Sequence, residues 1–186
     1  MTHAFLHGPH IYLRGLEEKD LDGPYFDWFN DPDVCRYNSH ALFPNTTAAM
    51  RKYFEETSQS RAEIVFAIVW KETEEHIGNI TLKNVDYQAR SGELAIIIGN
   101  RNYWGKSVGK EAGQLLVEYA VSRLNLRRIH CGTHADNVAM QRLALFLGMR
   151  EEGLRKEAVF KNGVYADLVE YGMVIADRAP GRTSPS

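Results

Sequence analysis

The residues best placed to do chemistry fall in one stretch, Glu93 to Leu124, whose middle reads Asn100-Arg101-Asn102-Tyr103-Trp104-Gly105-Lys106. A loop of this kind delivers backbone N–H groups to the start of a helix. There, unpaired donors and about half a positive charge make a site for phosphate. Gly105 and Gly109 let a ligand approach the backbone, while Lys106 and Lys110 add charge. Taken alone, the pattern more often serves as a plain turn. Neither the G-x-x-x-x-G-K-[ST] run of a mononucleotide loop nor the G-x-G-x-x-G of a dinucleotide site occurs, so both of those readings fail.

Other reactive side chains fall short of a site. His3, His7 and His10 share helical spacing and His130 and His134 share a strand face, but neither set completes a ligand group, so no metal is expected. Cys35 and Cys131 are too few for a disulfide framework and point to a reducing cytoplasm.

The 186 residues suit one domain with a single core. With 44% apolar and 25% charged residues the chain reads as globular, and a net charge of −2 gives no electrostatic reason to bind nucleic acid or an anionic membrane. No run reaches the roughly 18 apolar residues of a membrane span, and the start lacks a signal-peptide core.

The elements that must position the loop follow from periodicity. Ile11–Leu16 reads as a strand, and Glu17–Asn30, with Leu21, Tyr25, Trp28 and Phe29 at helical spacing, as a helix ending near Pro32. A loop over Asn38–Asn45 is expected to line a pocket before a helix capped by Thr46 or Thr47 that runs to about Ser58. Ile64–Trp70 and His76–Val85 form an antiparallel hairpin. Gly92–Gly99 follows, its apolar Leu94–Ile98 core suggesting a central strand covered on both faces. Then come a helix over Ser107–Leu124, a strand over Arg128–Thr133, a helix over Asn137–Phe146 closed by Gly148, and a hairpin of Glu157–Phe160 and Val164–Val174 around Asn162-Gly163. This predicts one domain over residues 1–178 and a disordered tail over 179–186. The fold class is mixed α/β (α+β), a mostly antiparallel sheet of about seven strands flanked by about four helices.

Trp104-Gly105-Lys106-Ser107-Val108-Gly109-Lys110-Glu111-Ala112 resembles the acyl-CoA pyrophosphate loop of the GNAT N-acetyltransferases. Asn137-Val138-Ala139-Met140-Gln141-Arg142-Leu143, with Leu147-Gly148-Met149, is similar to that family's second cofactor motif, whose Asn contacts the pantetheine arm. Glu152-Gly153, Lys161-Asn162-Gly163 and Tyr165-Ala166-Asp167 continue the match. Leu13-Arg14 to Asp20-Leu21 and Trp28 to Val34 resemble the opening of the ribosomal-protein N-terminal-alanine acetyltransferase branch.

This resemblance, over nearly the whole chain, implies a GNAT-like fold in which the strands carrying Ile97 and Ile129 splay. It implies acetyl-CoA as acetyl donor, held by Trp104, Gly105, Lys106, Ser107, Val108, Gly109, Lys110 and Asn137 and by the backbone of Ile97 and Ile98. The implied reaction is direct attack of an amine on the thioester, with Glu93 as base. The match has departures. Trp104 stands where many members carry Gln or Arg, Ser107 replaces a usual glycine and is expected to cap the helix or meet a phosphate, and Met140 replaces a frequent Ser. Ala144 occupies the position of the usual proton-donating Tyr, with Tyr165 as a substitute. The acceptor is read as a small-molecule amine (an amino sugar, a nucleotide-linked amino sugar or a polyamine), with a protein N-terminus as the alternative. A non-catalytic acyl-CoA-binding module is the rival of another class. Family members are often homodimers, so a homodimer is compatible with the reading.

The first half offers acceptor-side candidates. Tyr25, Trp28, Phe29, Tyr37 and Phe43 could line a pocket or fill a core, and Asp31, Asp33, His40 and Asn45 suit a polar amine.

Overall fold

A computed structural model describes residues 3–176, so the expected tail over 179–186 lies outside the described residues. Eight strands form one sheet in the order β1-β2-β3-β4-β5-β6-β8-β7. They are β1 (Leu6–His7), β2 (Ile11–Gly15), β3 (Ile64–Trp70), β4 (Glu75–Asp86), β5 (Ser91–Ile98), β6 (Arg128–His134), β7 (Arg150–Lys161) and β8 (Val164–Val174). Among the described residues only the β5–β6 pair is parallel. The strand beyond expectation is β1, two residues long and too short to show a period.

The helices are α1 (Tyr25–Trp28), α2 (Thr47–Gln59), α3 (Val108–Ser122) and α4 (Val138–Phe146). The helix expected over Glu17–Asn30 is replaced by a 3-10 turn at Glu18–Asp22 and the four-residue α1. Gly23-Pro24 explains the break, because Pro24 has no N–H to continue a helix through that point. The 3-10 turn carries Asp20 inward, to a buried pair with Arg14 of β2.

One face of the sheet packs on α3, whose Val108, Ala112, Leu116 and Ala120 join Ile80, Leu82, Leu94 and Ile129 in the main core. Leu116 is fully buried there, so its truncation to Ala would cost about 2–5 kcal/mol. On the other side Leu21, Tyr25, Trp28 and Met50 form a separate cluster from α1, α2 and the 3-10 turn. At the end of β5, Gly99 lies so close to Trp28 that an added Cβ would overlap the indole.

Strand β7 starts at Arg150, well before the expected Glu157. Its charged run, Arg150-Glu151-Glu152 and Arg155-Lys156-Glu157, hides the strand from a hydrophobic pattern. The structure supplies the reason: β7 is a sheet edge, where solvated charges discourage pairing with other chains.

Candidate active site

The site begins with an interruption in the sheet. Strands β5 and β6 pair only at Ser91↔Arg128, Gly92↔Ile129 and Glu93↔His130. Beyond that point β5 stays on β4 as far as Ile98, and β6 stays on β8 as far as His134. The backbone of Leu94–Ile98 therefore faces β6 without a strand partner. The expectation that this stretch is covered on both faces is corrected here: Ala95, Ile96, Ile97 and Ile98 are only half-buried, because one edge lacks a neighbour and a cavity covers one face.

The loop after β5 connects this edge to α3. Trp104 Nε1 donates to Ile98 O at 2.8 Å, fastening the loop to the strand end, and Gly105 has a φ of +77°, a left-handed turn that favours glycine. The N–H groups of Val108 and Gly109, in the first turn of α3, have no carbonyl within the helix to receive them. Lys106 Nζ lies 4.9 Å from the centre of the Tyr103 ring, and Lys110 Nζ 4.8 Å from that of Phe146 on α4. Ser107 departs from expectation, since it sits at φ +61° and its side chain makes no cap hydrogen bond. A left-handed residue at the cap turns its hydroxyl away from the N–H groups it would need to reach. Asn137 does cap, its Oδ1 accepting from Met140 N at 3.2 Å while its Nδ2 donates to Thr133 Oγ1 at 3.0 Å.

On the opposite face, a cavity of about 330 Å³ lies between the sheet, α1, α2 and the loop over residues 38–45. Its floor includes Asn79, Thr81 and Lys83 of β4 and Ala95 and Ile97 of β5; its walls include Tyr25, Phe29, Tyr53, Glu63, Asn38 and His40. Tyr53 donates to Glu63 Oε1 at 2.9 Å. Desolvation against Phe29, 4.3 Å away between ring centres, and then the charges of Lys83 and Lys161 push the His40 imidazole below its ordinary value, although the residue as a whole is exposed. A larger hollow of about 410 Å³ near the end of α2 shares Glu63 and Val65 but touches nothing on the unpaired edge of β5.

The loop over the cavity is fastened at both ends. Asn45 N donates to Asn30 Oδ1 at 2.8 Å and Asn45 Nδ2 to Phe26 O at 3.2 Å, while Lys161, at the tip of the β7–β8 hairpin, donates to the carbonyls of Cys35 and Asn38. Between these anchors the side chains of Leu42 and Phe43 are exposed.

Behind the cavity wall runs a buried polar chain. Arg14 Nη1 and Nη2 each donate to Asp20 at 2.7 Å. Burial alone would raise the Asp20 carboxyl, but Arg14, His76 and the Glu17 N–H outweigh it and hold that carboxyl well below the usual carboxylate range. His76 Nδ1 lies 3.4 Å from Asp20 Oδ1, and its Nε2 lies 3.0 Å from Gly78 O and 2.7 Å from Asn79 Oδ1. Because a carbonyl oxygen only accepts, Nε2 carries a proton and the Asn79 atom it meets is the oxygen. The Asn79 NH₂ is thereby turned away from His76, in the wall of the cavity that Asn79 and Tyr25 both line.

Of the residues singled out from sequence, Ile97, Ile98, Trp104 and the 105–110 loop converge around the unpaired edge and the start of α3. Glu93 is on the same face of β5 as Ala95 and Ile97 by strand alternation, accepts from Asn84 Nδ2 at 3.0 Å, and is not among the residues lining the cavity. Asp31 and Asp33 pair with Arg101, whereas His40 and Asn45 do line the cavity. Ala144 is fully buried in the core, and Tyr165 sits on β8 beside the hairpin turn, 62% exposed and tilted against Phe160, away from the cavity. Glu63, Asn79, His76 and Lys83 were not singled out. They lie on β4 or beside β3, in segments whose pattern announces only a hairpin; alternation hints at a shared face for Asn79 and Lys83, whereas His76 is set by the register shift between β3 and β4.

Residues 10–150 match the acetyltransferase (GNAT) domain family, and the chain belongs to that family. It is therefore an acyltransferase of the GNAT class, as the motif resemblance implied. An uncharacterized N-acetyltransferase, p20, of Bacillus licheniformis is 28% identical over 171 residues, covering 91% of this chain and 95% of its own length. The spermidine N-acetyltransferase of Vibrio cholerae, solved in complex with CoA and spermine, shares the fold with a TM-score of 0.81 at 24% identity, over 89% of this chain and 95% of that one. RimL, the ribosomal L7/L12 α-N-protein acetyltransferase solved with coenzyme A, does so with a TM-score of 0.80 at 17% identity, over 90% and 96% of the two chains. No helix among the described residues is long and apolar enough to cross a membrane.

Proposed function

We propose that this chain transfers an acetyl group from acetyl-CoA to the primary amine of a small molecule, an amino sugar, nucleotide-linked amino sugar or polyamine. The observation that carries the reading is the meeting of two spaces at one strand. The unpaired edge of Ala95–Ile98 opens toward the loop and the start of α3, and the side chains of Ala95 and Ile97 form part of the acceptor cavity. Both fold neighbours were solved with coenzyme A, which supports the choice of donor.

The residues present fit that donor. Backbone N–H groups at Val108 and Gly109, the glycine turn at Gly105 and the charges of Lys106 and Lys110 suit a pyrophosphate. The free edge of Ile97 and Ile98 suits the amide-bearing pantetheine arm, with Asn137 at the start of α4 on the far side. When bound, acetyl-CoA supplies the activated acyl group. The chain's own work is to admit the amine, remove its proton and exclude water. An alkyl amine with a pKa near 10 arrives protonated, and Glu93, two residues before Ala95 on the cavity face, takes that proton directly or through water. Glu63, the carboxylate in the cavity wall, attracts the ammonium form.

A protein N-terminus is the second reading, favoured by the exposed Leu42 and Phe43 beside the cavity. Calorimetric titration with acetyl-CoA, followed by thiol release against amino sugars, polyamines and short peptides, tests all of this. Binding with turnover of one class identifies the acceptor. Binding without turnover makes the chain an acyl-CoA-binding module, and absence of binding overturns the reading.

A further inference from the structure

Resting on that reading, the geometry points to a more specific acceptor: we propose that the buried chain Arg14–Asp20–His76 positions Asn79, beside Tyr25 in the same cavity wall, and that the two serve as hydrogen-bond donors for a hydroxyl carried next to the acceptor amine. The acceptor is then a hydroxylated small amine rather than an unsubstituted polyamine.

The argument is one of fixed orientation. An isolated Asn side chain presents either its oxygen or its NH₂ by a simple flip. Here the flip is locked, since reversing Asn79 would set its NH₂ against the proton that His76 Nε2 must carry to meet Gly78 O. His76 is itself placed by ring contacts with Trp28 and Tyr25, at 5.0 and 5.5 Å between centres, with Asp20 Oδ1 3.4 Å from its Nδ1. The far end is held by the two-pronged Arg14 pair. Tyr25 lines the same cavity as Asn79, and its phenol O–H supplies a second donor there. Asn79 is the cross-strand partner of Ile97, on the open edge where transfer is proposed.

A wall with donors fixed in this way has a chemical preference. An acceptor oxygen satisfies them, whereas a methylene in the same place leaves a buried donor unpaired. Sites built to bind a substrate hydroxyl reject the analogue lacking it far more strongly than apolar pockets reject an extra methylene. Charge agrees: the cavity wall has one carboxylate, Glu63, and one ammonium, Lys83, which gives a polycation no acidic groove to follow.

The test compares trans-2-aminocyclohexanol with cyclohexylamine, which differ by one hydroxyl, in a thiol-release assay with acetyl-CoA. The wild-type protein is expected to favour the hydroxylated amine by about 100-fold or more in kcat/KM. Tyr25→Phe and Asn79→Leu should each lower that ratio by about tenfold or more, mainly through loss with the hydroxylated amine. His76→Phe keeps a ring against Trp28 and Tyr25 but frees the amide. It should lower the same ratio, mainly through loss with the hydroxylated amine and with acetyl-CoA affinity unchanged, a selective effect that a merely structural role would not produce. Equal kcat/KM for the two amines in the wild type, or an unchanged ratio in both Tyr25→Phe and His76→Phe, overturns the inference and leaves acetyl transfer standing. Acetyl-CoA binding with no thiol release from either amine, or from amino sugars, polyamines and peptides, overturns the proposed function and this inference with it.

Discussion

The two sides of β5 are built from different materials. Toward α3, the proposed donor site is almost entirely backbone: a strand edge without a partner, a left-handed glycine and the first turn of a helix. Toward α1 and α2, the cavity is made of side chains from separate segments, with Tyr25, Asn38, Tyr53, Glu63 and Asn79 brought together only by folding. Backbone sites ask little of side-chain identity beyond permission to approach closely. Side-chain sites ask for particular groups in particular orientations, and those groups must be supported from behind, as Asn79 is by His76, Asp20 and Arg14.

Substitutions can separate the two sides. The largest expected effect is on the acceptor side, where Asp20→Asn leaves Arg14 buried without its partner and should cost about 3–5 kcal/mol in urea unfolding. The sign with pH follows from the direction of the shift. The folded-state pKa of Asp20 lies below that of the unfolded chain, so its stabilisation is complete above about pH 4 and fades as acid protonates the carboxylate. The mutant should therefore show a shallower loss of stability on acidification than the wild type. On the donor side, Gly109→Trp should weaken acetyl-CoA binding by about 100-fold, close to 2.8 kcal/mol, by filling the approach to the helix start. Unchanged affinity by calorimetry would remove the 105–110 loop from the site. Glu93→Gln bridges the two sides: it should leave acetyl-CoA affinity intact and lower kcat by about 100-fold, whereas normal turnover across the pH range would transfer the role of base to another group. The smallest effect belongs to Ser107→Gly, which relieves a positive φ and should raise stability by about 0.5–1 kcal/mol in thermal melts.

What was legible follows the same division. Gly105, Gly109 and Asn137 announce themselves because turns and caps are local, and the amphipathic run over α3 needs only its own neighbours to be read. The break at Gly23-Pro24 was overridden in the sequence reading by the periodic Leu21, Tyr25 and Trp28; the packing is real, but a short helix and a 3-10 turn provide it. The charged β7 reads short because this edge strand is almost wholly exposed and carries charges where an apolar alternation would reveal it. Glu63 and His76 carry no local signature, since Glu63 matters for Tyr53 on α2 and His76 for the Asp20 and Asn79 side chains that only folding brings against its ring.

The loop over residues 38–45 has one more consequence. Its two ends are tied by Asn45 and Lys161, while Leu42 and Phe43 at its tip are 71% and 78% exposed. Changes at that tip alter what the mouth of the cavity meets without disturbing a core contact or the edge of β5. Under the proposed function, variation in acceptor range is thus cheap for a lineage to explore, and the same short segment is a natural cassette for redirecting the protein to a new amine.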